Sequence, residues 1–288
     1  MTFNPNADVS GNTARRRGRT AAIAGGGVGL ATVVVLLISM FTGTDLTGLL
    51  TNTGNQQPAE QTSLAACETG QDANTDDACR IAAVSLSLDQ FWASQLEDYR
   101  KPSLTIVDGS TPTACGTASN AVGPFYCPGD EGVYIDPTFF QILREQFGAS
   151  GQSLAQLYVV AHEYGHHVQN ITGIMAKYPN NGSGPDSNGV RLELQADCFA
   201  GAWVGAMTEQ KDANGVPYLK APTKQELADA LNAAATVGDD HIQQQSGGMV
   251  NPESWTHGSS EQRQRWFATG YDSGVGSCDT FTIPARKL

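Results

Sequence analysis

The pattern of apolar and polar positions separates one uninterrupted apolar run from a longer body in which the two kinds of residue are mixed. The run covers residues 21–41 (AAIAGGGVGLATVVVLLISMF) and contains no charged side chain. A helix needs about 20 such residues to cross the hydrocarbon core of a membrane. Four arginines precede it, from Arg15 to Arg19, and basic residues beside a membrane span stay on the cytoplasmic side. The pattern therefore predicts a transmembrane helix at 21–41, a basic cytoplasmic N-terminus at 1–20 and an extracytoplasmic remainder.

Two other interpretations of the apolar run stay open. One is a cleaved signal peptide, although secretory apolar segments usually have about 7–15 residues and the sequence at 39–41 does not resemble their Ala-x-Ala cleavage site. The other is a buried helix of a soluble protein, although the three consecutive glycines at 25–27 would weaken such a helix in water.

After the run, the pattern predicts a linker followed by one mostly helical domain. Residues 42–63 are rich in Thr, Gly, Asn and Gln and have little to bury, which is typical of a flexible linker. Residues 64–288 form the predicted domain. Helical segments outnumber strands in it, so the predicted fold class is α+β with a small antiparallel sheet.

Periodicity and capping residues predict the individual elements of the domain. Strands are expected at 103–107, 125–127 and 133–135, the last two as a hairpin across a Pro-Gly-Asp turn. Helices are expected to begin near Asp76, Pro137 and Ser153, in the segment VRLELQADCFAGAWVGAMTEQ, and after two capping boxes, Thr223 with Glu226 and Ser259 with Gln262.

The net charge of the chain limits the kinds of partner that it can bind. The formal net charge is −12, and an acidic body lacks the clustered Lys and Arg that nucleic-acid phosphates require, so no nucleic-acid partner is expected.

All six cysteines follow the apolar run, and an even number in an exported domain favours disulfides. Short local loops favour Cys67–Cys79 and Cys115–Cys127, which leaves Cys198–Cys278 by elimination. Buried free thiols are the alternative.

One motif carries candidate chemistry. Residues 162–166 read His-Glu-Tyr-Gly-His, an H-E-x-x-H motif in a helical segment. Histidines at i and i+4 lie one turn apart on the same helix face, so His162 and His166 can bind one metal ion. Glu163 is rotated from that face by about 100°, which places it beside the metal as a general base. The motif predicts Zn²⁺ as the cofactor, and a pair of surface histidines on an ordinary helix is the alternative.

The next helix contains the best candidate for a third ligand, because catalytic zinc typically has three. That candidate is Glu193. Small residues after it, from Ala196 to Gly205, would let its helix approach the histidine helix closely. Asp197, one turn further, is then placed to orient a ligand histidine.

Other residues could supply the third ligand. The extended H-E-x-x-H-x-x-G-x-x-H motif does not apply, since Gln169 and Thr172 occupy its last two positions. Asp197 itself, His167 and His241 are the alternatives to Glu193. His167 points away from the face of the two ligand histidines, so a structural or exposed position is expected for it.

Four segments together resemble a known family. They are GPFYCPGD, HEYGHHVQ, RLELQADCFAG and WTHGSSEQRQRWF, and they are similar to the bacterial neutral zinc metallopeptidases over most of residues 64–280. More distantly, the H-E-x-x-H plus E-x-x-x-D pairing resembles membrane-associated zinc peptidases whose third ligand is a glutamate. The resemblance implies a zincin-like core in which His162, His166 and Glu193 bind zinc and Glu163 is the catalytic base.

The predicted function is a membrane-anchored zinc peptidase that acts on peptide or protein substrates. Water that the zinc activates would lose its proton to Glu163 and attack the peptide bond. His257 lies in a loop before a capped helix and is a candidate for stabilising the oxyanion, with loop capping as the alternative. Arg263 and Arg265 are interpreted as surface charges rather than ligands of a substrate carboxylate.

Two other functions stay open. One is a non-enzymatic, membrane-tethered module whose zinc is structural, and the other is hydrolysis of a non-peptide amide such as cell-wall material. Structural zinc usually has four ligands, often cysteines, so three His/Glu ligands beside a candidate base favour an enzyme.

Overall fold

The computed structural model describes residues 2–18, 60–64, 66–119, 122–147, 152–245 and 249–288. The transmembrane helix predicted at 21–41 and most of the predicted linker lie outside these residues. Within the described ranges, no helix is both long enough and apolar enough to span a membrane.

Helices make up most of the domain, as the sequence predicts. They are α1 Gly70–Thr75, α2 Asp77–Gln95, α3 Phe139–Phe147, α4 Ser153–Ile171, α5 Ile174–Lys177, α6 Asn188–Ala206, α7 Lys224–Thr236, α8 Asp239–Gln245 and α9 Ser260–Ser273, with short 3₁₀ helices at Pro252–Ser254, Val275–Ser277 and Ala285–Lys287. Side-chain caps fix several helix starts. Asp76 accepts a hydrogen bond from the Cys79 N–H at the start of α2, and both predicted capping boxes form, at α7 and α9. Each such cap typically stabilises its helix by about 1 kcal/mol.

The strands form one mixed sheet and one separate hairpin. They are β1 Arg15–Gly18, β2 Glu60–Ser63, β3 Ser103–Asp108, β4 Ser110–Thr113, β5 Gly116–Ser119, β6 Phe125–Cys127 and β7 Gly132–Ile135. The five-stranded sheet has the order β2-β1-β3-β7-β6, and β4 pairs with β5. The predicted antiparallel hairpin of β6 and β7 is confirmed, with Tyr126 opposite Val133. The sheet as a whole is mixed rather than antiparallel, because β3 runs parallel to both β1 and β7.

The N-terminal segment, residues 2–18, packs into the domain. The sequence-based division separated residues 1–20 from the domain at 64–288, whereas β1 lies inside the sheet between β2 and β3. Phe3, Ala7 and Val9 are fully buried in the main core. An arginine-rich strand has no apolar alternation, and its partners lie far along the chain, so local sequence gives no signal for this pairing.

Helix α4 occupies the centre of the domain. It packs against α2, α6 and α7 and against strands β6 and β7, and its apolar side chains Leu154, Leu157 and Val160 have no exposed surface. A helix buried on nearly all sides reads as a continuous apolar run rather than as an amphipathic stripe. This burial fixes the position of the H-E-x-x-H motif within α4.

Small residues set the distances between helices, although not all where the sequence predicted. A Cβ on Gly165 would lie 3.0 Å from the Cα of Ala196, so α4 and α6 are in close contact, as expected. Gly201 instead faces α9, where a Cβ would overlap with the carbonyl of Phe267, and a Cβ on Gly270 of α9 would overlap with the carbonyl of Cys198. The glycines of α6 therefore admit α9 rather than α4.

Three disulfides connect the six cysteines. The pairs are Cys67–Cys79, Cys115–Cys127 and Cys198–Cys278, which confirms the predicted connectivity. The third joins α6 to the segment that follows α9. Each thiol has a partner, so the alternative of buried free thiols is excluded.

Candidate metal centre

Helices α4 and α6 bring the three predicted ligands together. The His162 Nε2 lies 3.2 Å from one carboxylate oxygen of Glu193, and the His166 Nε2 lies 3.4 Å from the other. One donor atom from each residue falls within 4.8 Å of the other two. Tetrahedral zinc with bonds of about 2.0–2.2 Å holds its donors roughly 3.3–3.6 Å apart. The donor set and its spacing therefore fit zinc.

The second nitrogen of each histidine faces an acceptor. His162 Nδ1 lies 2.8 Å from Asp197 Oδ1, and His166 Nδ1 lies 2.9 Å from Gln169 Oε1. An acceptor at Nδ1 keeps the proton there and leaves the Nε2 lone pair for a metal. Gln169 is itself fixed, since its amide donates to the Leu192 carbonyl at 2.7 Å. Asp197 thus contacts the ring of a candidate ligand histidine, where the sequence predicts it, whereas the contact of Gln169 with His166 was not predicted.

Asp197 is held in place by a buried arginine. Arg263 donates from Nε to Asp197 Oδ2 at 2.8 Å and from a terminal nitrogen to Oδ1 at 3.0 Å, and the Tyr158 hydroxyl donates to Oδ1 at 2.5 Å. Both oxygens thus accept hydrogen bonds, and the candidate ligand group found in the described residues does not include Asp197. Burial opposes ionisation of this carboxyl, but Arg263 and His162 outweigh it and hold its pKa below the usual range.

The interpretation of Arg263 as a surface charge is wrong. Only 3% of its surface is exposed, because the close contact between α6 and α9 buries it beside Asp197. Arg265, by contrast, is exposed and pairs with Glu261 one turn before it at 3.7 Å, as predicted. No local feature of the sequence distinguishes the two arginines, since both precede Trp266 in the same helix.

The carboxylates make the site favourable for a cation. Burial would lower the pKa of His162, but Asp197 and Glu193 raise it to about 10. Burial would likewise raise the pKa of Glu193, whereas His166 and His257 hold it well below its ordinary value. Negative charge concentrated around two imidazole nitrogens is the environment that a divalent metal ion requires.

Glu163, the predicted base, is buried next to the ligand group. Burial raises its pKa, and the neighbouring His166 and His162 act in the opposite direction. The backbone of Tyr126 in β6 also acts to lower this pKa. Strand β6 therefore lies beside the side chain that is expected to move protons.

His257 lies in a loop that a buried carboxylate organises. Asp239 has no exposed surface, and its Oδ2 accepts the backbone N–H groups of Thr256, His257 and Gly258 at 2.7, 2.7 and 2.9 Å. The His257 Nδ1 lies 2.9 Å from Thr256 Oγ1 and 3.4 Å from Asp239 Oδ1. Burial would lower the pKa of His257, but Glu193 and Asp239 raise it. Asp239 was not singled out from the sequence, where it looks like an ordinary acid at a helix start.

The other two histidines are not part of the ligand group. His167 is fully buried, with Nε2 2.6 Å from the Arg100 carbonyl and Nδ1 3.1 Å from the Tyr126 hydroxyl. It is structural, as predicted. His241 lies on α8, and the metal-ligating group found in the described residues does not include it.

Comparison with known proteins places this site in a family. The model of the family described as "putative neutral zinc metallopeptidase" matches residues 5–281. The chain is 47% identical over 253 residues to the uncharacterized protein Rv2575 of Mycobacterium tuberculosis, covering 85% of each chain. It is 41% identical over 264 residues to the uncharacterized protein YpfJ of Escherichia coli, covering 88% of this chain and 86% of the relative. No solved structure matches the chain.

Proposed function

Because this chain belongs to the neutral zinc metallopeptidase family, we propose that it is a zinc-dependent peptidase with His162, His166 and Glu193 as its metal ligands. The observation that carries the proposal is the convergence of two Nε2 atoms on one carboxylate at 3.2 and 3.4 Å. Three His/Glu ligands beside a buried glutamate are typical of a catalytic rather than a structural site.

In this proposal, each residue of the site has a distinct role in peptide hydrolysis. Zinc, when bound, acidifies a water molecule and polarises the scissile carbonyl. Glu163 accepts the proton of the attacking water and later delivers it to the leaving amine. Asp197 and Gln169 hold the two ligand rings by their Nδ1 atoms, so that neither ring turns when substrate enters.

His257 is proposed to stabilise the tetrahedral intermediate. With Nδ1 beside Thr256 and Asp239, its Nε2–H would donate to the developing oxyanion. A side-chain donor of this kind is typically worth about 2.7–4 kcal/mol in the transition state. Asp239 positions this histidine by holding three consecutive backbone N–H groups of its loop.

We further propose that the enzyme is attached to a membrane and acts outside the cytoplasm on peptides or proteins. The apolar run at 21–41 supports membrane attachment. The three disulfides support an oxidising compartment, because such bonds rarely persist in a reducing cytoplasm.

The test is cleavage of a quenched-fluorescence peptide library by the purified, zinc-loaded full-length protein. We expect cleavage that a chelator abolishes and added zinc restores. Glu163→Gln should keep the zinc content of the wild type, and its rate of peptide cleavage should fall by about 10²–10⁴-fold. Stoichiometric zinc without cleavage of any peptide by the wild type would contradict the peptidase assignment. Equal activity in Glu163→Gln would contradict the role of Glu163 alone.

A further inference from the structure

Residues 2–18 form an extended contact with the domain. Backbone hydrogen bonds join Asn4 to Tyr218 at 2.9 Å, Gly70 to Ala7 at 2.8 Å and Val9 to Glu68 at 2.8 Å. The backbone of the segment also exchanges two hydrogen bonds with a single amide, because Asn74 accepts from the Phe3 N–H and donates to the Phe3 carbonyl, both at 3.1 Å.

The domain is shaped to receive this segment. A Cβ on Gly70 would overlap with the carbonyl of Asn4. The segment can therefore pack against α1 only because the first residue of α1 is a glycine. The Phe3 side chain has no exposed surface, so all of its apolar area is removed from water, which stabilises the fold. Polar and apolar complementarity of this extent is typical of a part of the core rather than of an exposed tail.

The two described strands that flank the predicted membrane segment and linker pair with each other in the sheet. Strand β1 pairs with β2 in antiparallel register, and Gly18 lies opposite Glu60. Directly opposed residues of antiparallel strands have Cα atoms about 4.5–5.5 Å apart. Residues 18 and 60, which flank the predicted membrane segment and linker in the sequence, are therefore direct neighbours in the sheet.

From this arrangement we infer that residues 2–18 and residues 60–288 lie on the same side of the membrane. A single crossing at 21–41 would put about 30 Å of hydrocarbon between strands that are hydrogen-bonded to each other. A second crossing by residues 42–59 is disfavoured, because that stretch contains Asp45 and many Asn, Gln and Thr residues whose polar groups are costly in hydrocarbon.

The arginines before the apolar run have a role in the fold that does not depend on a cytoplasmic location. Arg15, Arg16 and Arg17 are the first residues of β1, and Arg16 pairs with Asp108 of β3 at 3.2 Å. The orientation rule for basic residues is statistical, whereas pairing of β1 with β3 requires that both be in one compartment. This inference rests on the membrane attachment proposed above and is independent of the peptidase activity.

Labelling of single added cysteines tests the shared side. Thr13→Cys and Ala213→Cys are exposed positions in the segment and the domain, and the six native cysteines are in disulfides. Each full-length variant is treated with a membrane-impermeant maleimide in spheroplasts of a bacterial host, before and after lysis. We expect both cysteines to react to the same extent before lysis. Reaction of only one of them before lysis would overturn the inference. Protection of both would keep the shared side and contradict the extracytoplasmic location proposed above.

A stability measurement tests the contact itself. Phe3→Ala in the full-length protein should lower Tm by roughly 6–15 °C, since a buried Phe→Ala change is large. Asn6→Ala is the matched control, because Asn6 is exposed in the same segment, and its Tm should equal that of the wild type. An unchanged Tm for Phe3→Ala would mean that the segment is not packed on the domain, and the inference would fall.

Discussion

The carboxylate of Asp197 is the group whose charge we expect to matter most after the metal ligands themselves. Asp197→Asn preserves its size but replaces one oxygen by an NH₂ group. In the protein, Oδ1 accepts from Tyr158, His162 and Arg263, and Oδ2 accepts from the Arg263 Nε. An amide in either orientation therefore directs its NH₂ at another donor, and it leaves the buried guanidinium with only the more distant Glu193 carboxylate, at 3.8 Å, as a counter-charge.

Two losses follow, and both have a definite size. Removal of one partner from a buried ion pair typically costs about 3–5 kcal/mol of unfolding free energy. Loss of the group that orients a ligand histidine typically lowers metal affinity by about 10–100-fold. Asp197→Asn should therefore weaken both the fold and the binding of zinc, and the first effect should persist when zinc is absent.

The assay separates these effects. Guanidinium unfolding with the disulfides intact and a chelator present gives stability without the contribution of bound metal, and competition with a chelator of known affinity gives the zinc Kd. Tyr158→Phe is the matched control, because it removes one donor to the same carboxylate and no charge, at a cost of about 1 kcal/mol. Asp197→Asn combined with Arg263→Met should cost less than the sum of the single changes. An unfolding free energy of Asp197→Asn within about 0.5 kcal/mol of the wild type, with unchanged zinc affinity, would refute the reasoning.

Three further outcomes are expected from single changes. Glu193→Ala should remove most bound zinc, measured by metal analysis after gel filtration, and full occupancy would mean that the third ligand is another residue. His257→Ala should lower kcat and kcat/KM together by about 10²–10³ with zinc content unchanged; loss of zinc would place His257 among the ligands instead. Gly270→Ala should destabilise the protein by about 3 kcal/mol or more, because the new methyl group meets the Cys198 backbone. Gly276→Ala, whose Cβ would meet nothing within 4 Å, is its control in the same denaturation assay.

Local features of the site were predictable because they depend on neighbours in sequence. The spacing of His162 and His166 places them on the same helix face, and the capping residues Thr223 and Ser259 mark the starts of α7 and α9. Glu193 was found because a three-ligand rule limited the search and because its helix contains small residues. These inferences need only helix geometry and the usual number and type of zinc ligands.

Features that depend on distant parts of the chain were not predictable in the same way. Arg263 is buried because glycines of α6 and α9 bring those helices together, and its sequence neighbourhood resembles that of exposed Arg265. The glycines of α6 were assigned to the contact with α4, since small residues in a helix indicate a close neighbour but do not identify it. Strand β1 was missed because its residues have no pattern of their own and gain a strand conformation only from β2 and β3.

The disulfide between Cys198 and Cys278 makes the stability of the site depend on the oxidation state of its surroundings. It closes a loop of 80 residues that contains Asp239, His257 and Arg263. In the chain-entropy model, closing such a loop destabilises the unfolded state by about 4.5 kcal/mol, a large part of the roughly 5–15 kcal/mol that hold an average domain folded. A chain in which this disulfide is reduced lacks that contribution, so the residues around the ligands are held together less securely.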